Sequence, residues 1–269
     1  MPIGSKINFQ SVLLKYSPPE MSTAIRNWES LEGTLLSLTF SDLKFHRIEG
    51  SAVIVAPGIA LCASHVVEPR LEALLTGTEA PYCFGITSAG LQIWKVLKVN
   101  VVPGSDLTVL GLELASELES GATLYRSTIT TRVPEVGERV TIYGFRAGQD
   151  EFERTADPNV RFSASVLVCA GEVAQHYLDG RDRVMLPWPT LEIACPSWGG
   201  MSGGPVFDST GKVLGLLSSS LSTNENDGPS YVSLLHPALT TRFEGGWPAS
   251  LFRNTTTLRE LSPKFCSID

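Results

Sequence analysis

From residue 48 onward, the chain is a series of short apolar runs separated by turn residues. Turns are indicated at Pro57-Gly58, Pro103-Gly104, Asp179-Gly180 and Ser209-Thr-Gly211. Runs of this length between Gly and Pro signals are typical of strands, and few long helical patterns interrupt them. The expected strands are Ser51–Val55, Ile59–Ala63, Gln92–Val101, Leu107–Leu112, Arg139–Tyr143, Ser163–Leu167, Pro205–Phe207, Val213–Leu217 and Tyr231–Leu234. Many short strands predict an all-β sandwich or barrel.

Composition supports a globular protein with a substantial core. The chain has 269 residues, of which 43% are hydrophobic and 18% charged, enough for one large domain or two smaller ones. A net charge of -7 without a Lys/Arg run argues against a nucleic-acid partner. No apolar run is long enough to cross a bilayer, so we expect no membrane partner. The N-terminus lacks the apolar core of a secretory signal, which favours a cytoplasmic location.

The cysteines give no sign of a metal site or a disulfide framework. The five are scattered and form no C-x-x-C pair: Cys62, Cys83, Cys169, Cys195 and Cys266. We expect free thiols in a reducing cytoplasm, and neither a metal nor another cofactor. An exported protein whose signal has been removed is the alternative.

The N-terminal 45 residues differ from the rest of the chain. Pro18-Pro19 stops regular structure. The spacing of Ile25, Trp28 and Leu31 then predicts a helix over Glu20–Leu31, and Leu35–Phe40 predicts a strand. We therefore expect a partly helical N-terminal extension that packs on the body. A regulatory flap and an arm that binds a regulatory partner are the alternatives.

Two other regions are expected to lie outside the strands. The segment Arg126–Gly137 is expected to connect two β halves. The polar stretches Gln149–Asp157 and Ser222–Asp227 are expected to be exposed, mobile loops.

The strongest local pattern is Gly200-Met-Ser-Gly-Gly-Pro205. Glycine permits backbone conformations closed to other residues, so neighbouring N–H groups can converge on one point. Acyl transfer needs a nucleophilic hydroxyl beside such donors. Here the hydroxyl is that of Ser202, and the oxyanion donors are the N–H groups of Gly200 and Ser202. A bare glycine-rich turn is the alternative interpretation.

A histidine and an aspartate precede this serine at the ends of predicted strands. His65 follows the run Ala60-Leu-Cys-Ala-Ser, and Asp106 follows the turn Pro103-Gly-Ser. Alone, each has an ordinary structural explanation, as a packed histidine or a turn cap. Together with Ser202 they form the set in which histidine takes the serine proton and aspartate orients the histidine. The order His, Asp, Ser is one of the orders in which this triad occurs.

These motifs resemble the trypsin-like, chymotrypsin-fold serine peptidases, especially the HtrA-like and glutamyl-endopeptidase-like members. The resemblance covers roughly residues 48–240. It rests on Gly50–His65, on Ser105-Asp106-Leu-Thr-Val-Leu, on Gly137–Gly144, and on Gly200–Pro205 followed by Gly211–Ser218. It implies two six-stranded antiparallel β-barrels with the active site between them, and protein or peptide substrates. The expected division is an extension at 1–45, barrels at 46–125 and 126–245, and a tail at 246–269.

The resemblance also implies where the substrate would bind. The base of the pocket for the residue before the cut would lie at Pro196 and Ser197, with Trp198 at its entrance and Ser218-Ser219-Ser220 as a wall. None of these residues is charged, so we expect a preference for uncharged side chains before the cut.

The sequence departs from the digestive members of the family at two places. Met201 stands where those enzymes have an aspartate that pairs with a newly cut N-terminus, so maturation by that route is not expected. His46-Arg-Ile-Glu-Gly50 superficially resembles a maturation site but lies too close to His65. No PDZ-like domain is expected after the second barrel.

Two other functions fit parts of the sequence. Gly200–Gly204 also matches the G-x-S-x-G motif of α/β-hydrolase esterases, with His236 and Asp208 or Asp227 as later partners. That fold requires a helix after the serine, which Pro205 disfavours. A non-catalytic binding protein on the same barrels is the second alternative.

Overall fold

The computed structural model describes residues 11–12, 31–41, 46–87, 90–116, 124–146, 152–154, 160–164, 166–220, 228–245, 248, 255–261 and 263–269. Within these residues the chain forms two closed antiparallel barrels of six strands each and one small sheet. The expectation of two six-stranded β-barrels is confirmed.

The first barrel closes in the order β2-β3-β4-β7-β6-β5. Its strands are β2 Leu35–Ser41, β3 His46–Ala56, β4 Ile59–Cys62, β5 Ala80–Thr87, β6 Gly90–Val102 and β7 Leu107–Leu114. Between β4 and β5 lie helix α1 Ser64–Val67, a 3₁₀ turn at Glu68–Arg70 and helix α2 Leu71–Thr76. The barrel begins with β2, so Leu35–Ser41 belongs to it and not to an N-terminal extension.

The second barrel closes in the order β11-β12-β15-β14-β13-β8. Its strands are β8 Arg139–Phe145, β11 Val166–Tyr177, β12 Thr190–Ile193, β13 Pro205–Phe207, β14 Val213–Ser220 and β15 Ser230–Leu234, followed by helix α3 His236–Thr240. The connection at 126–137 between the barrels contains no strand, although Ile129 bridges Val213 and Ile268.

A small sheet joins β1 Ser11–Val12, β10 Val160–Ala164 and β9 Phe152–Arg154. It revises two expectations. The loop expected at 149–157 contains β9, and the single strand expected at 163–167 is the junction of β10 and β11. The helix expected over 20–31 lies outside the described residues except for Leu31, which is in a turn, and Ser222–Asp227 lies outside them entirely.

One hydrophobic cluster joins the two barrels. It contains Val53 and Leu61 of the first barrel together with Phe145 and Leu216 of the second. Two further clusters fill the separate barrel interiors, one around Trp94 and one around Ile142. The shared cluster holds the barrels against each other, and the candidate site residues lie on elements that meet there.

Candidate active site

His65 stands at the point where the first barrel turns from strand to helix. All four residues of β4 are buried, and the chain then enters α1 at Ser64. Ser64, Val66 and Val67 are buried, whereas the His65 side chain is 47% exposed. The short helix therefore anchors itself through three residues and presents the imidazole to solvent.

Asp106 holds His65 through both the backbone and the ring. It lies in the turn between β6 and β7, and its side chain is 3% exposed. Its Oδ1 accepts a hydrogen bond from the backbone N–H of His65 at 2.9 Å, and its Oδ2 lies 2.8 Å from His65 Nδ1. An ionised carboxylate has only acceptors, so this contact favours the imidazole tautomer with the proton on Nδ1.

A third donor reaches the same carboxylate from the second barrel. Ser218 Oγ, in β14, donates to Asp106 Oδ2 at 2.5 Å. Ser218 was predicted to be part of the pocket wall, and this contact was not predicted. Residues 106 and 218 are 112 positions apart, so no local pattern relates them.

The loop that carries Ser202 packs directly on the backbone beside His65. Gly203 has a φ of +81°, and a Cβ there would lie 2.2 Å from the Ser51 carbonyl oxygen and 2.8 Å from the Ala63 nitrogen. A Cβ on Gly50 would lie 3.1 Å from the Ser202 carbonyl oxygen and 2.7 Å from a Val66 methyl group. Glycine at both positions allows the second barrel to approach the segment that holds the histidine.

The backbone amides of this loop divide into those with partners and those without. Met201 N–H donates to the Trp198 carbonyl at 3.1 Å, Gly203 N–H to Leu217 at 2.8 Å, and Gly204 N–H to Met201 at 2.8 Å. Across the described residues, the N–H groups of Gly200 and Ser202 donate to no protein acceptor. These are the two amides that the sequence analysis assigned to an oxyanion hole, and they are available to a ligand.

The structure thus brings the three proposed catalytic residues to one side of the contact between the barrels. His65 and Asp106 are hydrogen-bonded, whereas no hydrogen bond joins the Ser202 hydroxyl to His65 within the described part of the chain. In ligand-free enzymes such contacts are often long and tighten when substrate binds.

The expected pocket residues lie on the segment that precedes the nucleophile loop and at the end of β14. Pro196 and Ser197 are buried, and the half-buried Trp198 packs against the core of the second barrel. Ser219 and Ser220 pair with β15 on one side. On the other side, β13 pairs with β14 only as far as Leu216, and the N–H and carbonyl of Leu217 bind Gly204 and Gly203, so no described strand covers the edge from Ser218 onward. An extended peptide can add to such a strand edge.

The architecture contradicts the α/β-hydrolase alternative. Strand β13 follows Ser202 where that fold requires a helix, and the barrels are antiparallel. His236 Nε2 lies 3.0 Å from the Thr131 carbonyl oxygen, and Asp208 accepts from the Thr210 and Lys212 amides, so neither contacts Ser202. Asp227 lies outside the described residues.

The described ranges also bear on metal sites and membrane spans. In them, no group of three or more His, Cys, Asp or Glu side chains is arranged to hold a metal ion. No helix in the same part of the chain has the length and hydrophobicity to cross a membrane.

Sequence comparison relates the chain to one peptidase family. Residues 50–216 match the trypsin-like peptidase domain. The chain is also similar to the peroxisomal leader peptide-processing protease of Mus musculus, with 27% identity over 203 residues. That match covers 71% of the chain but only 30% of the mouse protein.

Comparison of structures supports the same architecture. Deg5 is similar with a TM-score of 0.55 and 17% identity, covering 78% of this chain and 87% of Deg5. The active form of the Rv3671c protease from M. tuberculosis has a TM-score of 0.54 and 14% identity, covering 85% and 88% of the two chains. At these identities the structures establish the fold, and the domain match extends over more than half of the sequence. The chain belongs to the trypsin-like peptidase family.

Proposed function

We propose that the protein is a serine endopeptidase that cleaves peptide bonds through an acyl-enzyme on Ser202. The observation that carries the proposal is the pairing of Asp106 with His65 beside a serine loop that leaves two amides free. His65 would take the proton from the Ser202 hydroxyl as the oxygen attacks the substrate carbonyl carbon. Asp106 would hold the imidazole in position and stabilise its positive charge.

The two free amides supply the electrostatic part of the mechanism. As the carbonyl becomes tetrahedral, its oxygen gains negative charge, which the N–H groups of Gly200 and Ser202 would stabilise. The protonated His65 would then give its proton to the leaving amine, and the C–N bond would break. A water molecule, deprotonated by His65, would attack the acyl-enzyme and release the second product.

The open edge of β14 favours a substrate in extended conformation. A peptide that pairs with Ser218–Ser220 would place the side chain before the cut near Pro196, Ser197 and Trp198. No charged residue is among these six, and a buried charge without a partner costs several kcal/mol. We therefore expect cleavage after uncharged residues. The name of the mouse relative agrees with a peptide substrate.

No proteolytic maturation is expected for this activity. Met201 is fully buried in the second-barrel core and lacks a carboxylate that could pair with a new N-terminus. The sequence His46–Gly50 lies inside β3, paired with β2 for most of its length. Cutting there would remove part of a barrel strand.

Labelling with a fluorophosphonate probe and cleavage of a peptide library test the proposal together. The full-length chain should acquire one adduct on Ser202 and cleave after uncharged residues, and Ser202→Ala should lose both properties. A folded protein that takes no label and cleaves nothing would be the binding protein of the second alternative. Cleavage mainly after Lys or Arg would contradict the pocket assignment alone.

A further inference from the structure

Ser51 of β3 is a buried polar residue that the mechanism above does not use. Its side chain has no solvent exposure. Its hydroxyl accepts a hydrogen bond from the Phe145 N–H at 2.8 Å and donates one to the Gly200 carbonyl at 2.8 Å. Its backbone N–H donates to the Ser202 carbonyl at 2.7 Å. One residue of the first barrel therefore binds the end of β8 and the serine loop of the second barrel.

These contacts fix the two peptide groups on either side of the Met201–Ser202 peptide. The Gly200–Met201 peptide is held by Ser51 Oγ at its carbonyl and by Trp198 at its N–H. The Ser202–Gly203 peptide is held by the Ser51 N–H at its carbonyl and by Leu217 at its N–H. With both carbonyls tied to Ser51, the N–H groups of Gly200 and Ser202 are the ones left without partners.

Gly200 is the point at which this arrangement can rotate. Its φ of +89° is open to glycine and strained for other residues, and glycine crosses readily between positive and negative φ. A buried carbonyl without a donor costs free energy. If the Gly200 carbonyl lost the Ser51 hydroxyl, it would therefore turn toward another donor. The carbonyl and the N–H of Gly200 belong to adjacent peptide groups that join at its Cα, so a change of φ that accompanies this rotation would turn the N–H away from the developing oxyanion.

We infer that Ser51 is a positioning residue whose hydroxyl keeps the oxyanion-binding amides of Gly200 and Ser202 in their productive orientation. This inference rests on the proposed function. Preorganised donors stabilise the transition state more than the ground state, so the effect should fall on kcat. Loss of one oxyanion donor costs about 10²–10³ in kcat, and a donor that is displaced part of the time should cost less, about 10–100-fold.

Ser51→Ala tests this, with Ser37→Ala as the matched control. Ser37 lies directly opposite Ser51 on β2, is equally buried, and its hydroxyl has no hydrogen-bond partner. Rates are normalised to the concentration of active sites, titrated with the fluorophosphonate. Ser51→Ala should lower kcat about 10–100-fold and change KM less than about twofold, and Ser37→Ala should leave both unchanged.

A peptide aldehyde supplies a second measurement that a purely structural role would not affect. Its adduct with Ser202 carries an oxygen in the oxyanion position, so its inhibition constant should rise by about the same factor as kcat/KM falls. Ser51→Cys fills the same space with a weak donor and should show the same losses if Ser51→Ala does not fold. A normal kcat per active site in either folded variant, with only a lower melting temperature, overturns the inference. Cleavage that survives Ser202→Ala would instead refute the proposed function.

Discussion

At the scale of single residues, the environment of Asp106 determines what can replace it. Its carboxylate receives three donors: the His65 N–H, His65 Nδ1 and Ser218 Oγ. A side chain with acceptors alone satisfies all three. An asparagine side chain has the same shape, but its NH₂ group would point two hydrogens at groups that are themselves donors.

Asp106→Asn should therefore preserve the fold and remove most of the activity. The amide would favour the imidazole tautomer in which the nitrogen that should accept the serine proton already carries one. In the chymotrypsin triad, the equivalent change costs about 10⁴ in kcat. Steady-state kinetics with a circular dichroism melt as control measures this, and a folded variant with near-normal kcat would contradict the role given to Asp106.

The sequence identified His65, Asp106 and Ser202 because each stands beside a local signal, a strand end or a glycine turn. Ser51 carries no such signal. Its partner Gly200 is 149 residues away, and only the packing of one barrel on the other brings them together. Ser218 was assigned to the pocket for its position after an apolar strand, while its bond to Asp106 depends on the same packing.

At the scale of elements, the close approach between the nucleophile loop and β3 depends on Gly203. A Cβ there would overlap the Ser51 carbonyl, in addition to the strain of a positive φ. Gly211, in the turn between β13 and β14, has a φ of +80°, and a Cβ there would have nothing within 4 Å. The two glycines share a backbone conformation and differ in their surroundings.

Gly203→Ala and Gly211→Ala should therefore separate packing from backbone strain. Gly211→Ala should lower the free energy of unfolding by about 1 kcal/mol and leave kcat unchanged. Gly203→Ala should cost more, about 3 kcal/mol or above, and abolish cleavage because the loop must move away from His65. Urea unfolding and active-site titration measure both variants. Equal losses of stability and activity in the two variants would show that the contact between Gly203 and β3 contributes little to either.

Elements were predictable where an apolar run coincides with a strand, as at β4, β7 and β13. The predictions failed where pairing extends a strand into polar sequence. Strand β3 includes the polar residues His46–Gly50 because β2 pairs with them, and β14 continues through three serines beside β15. Strand β9 lies in a stretch whose acidic composition indicated a loop. Strand formation depends on the neighbouring strand, and a single sequence does not display its neighbour.

At the scale of the whole molecule, the packed interior encloses every cysteine. All five thiols are buried, and none of them is in a disulfide. Burial raises the pKa of the Cys195 thiol to about 12 and that of Cys266 to about 11, and it also raises the pKa values of Cys62 and Cys83. Since the thiolate is the reactive form, these cysteines should be inert in the folded chain.

A thiol reagent such as dithionitrobenzoate should therefore distinguish folded from unfolded molecules. At pH 8 the native protein should react at less than about one thiol per chain on the timescale of minutes. In denaturant all five should react, because the exposed thiols regain pKa values near 8.5. Raising the pH should accelerate the native reaction only where local opening exposes a thiol. Rapid modification of several cysteines in the native state would contradict the enclosed core.

The bonds from Ser51 to Gly200 and Ser202 also imply an order in which the proposed site is assembled during synthesis. Chains emerge from the ribosome with their N-terminal part first. His65 and Asp106 are therefore synthesised well before the loop that carries Ser202. That loop can form its bonds to Ser51 only when the first barrel has folded. In an incomplete chain the loop of the proposed nucleophile is therefore not assembled until synthesis has passed the last barrel strand.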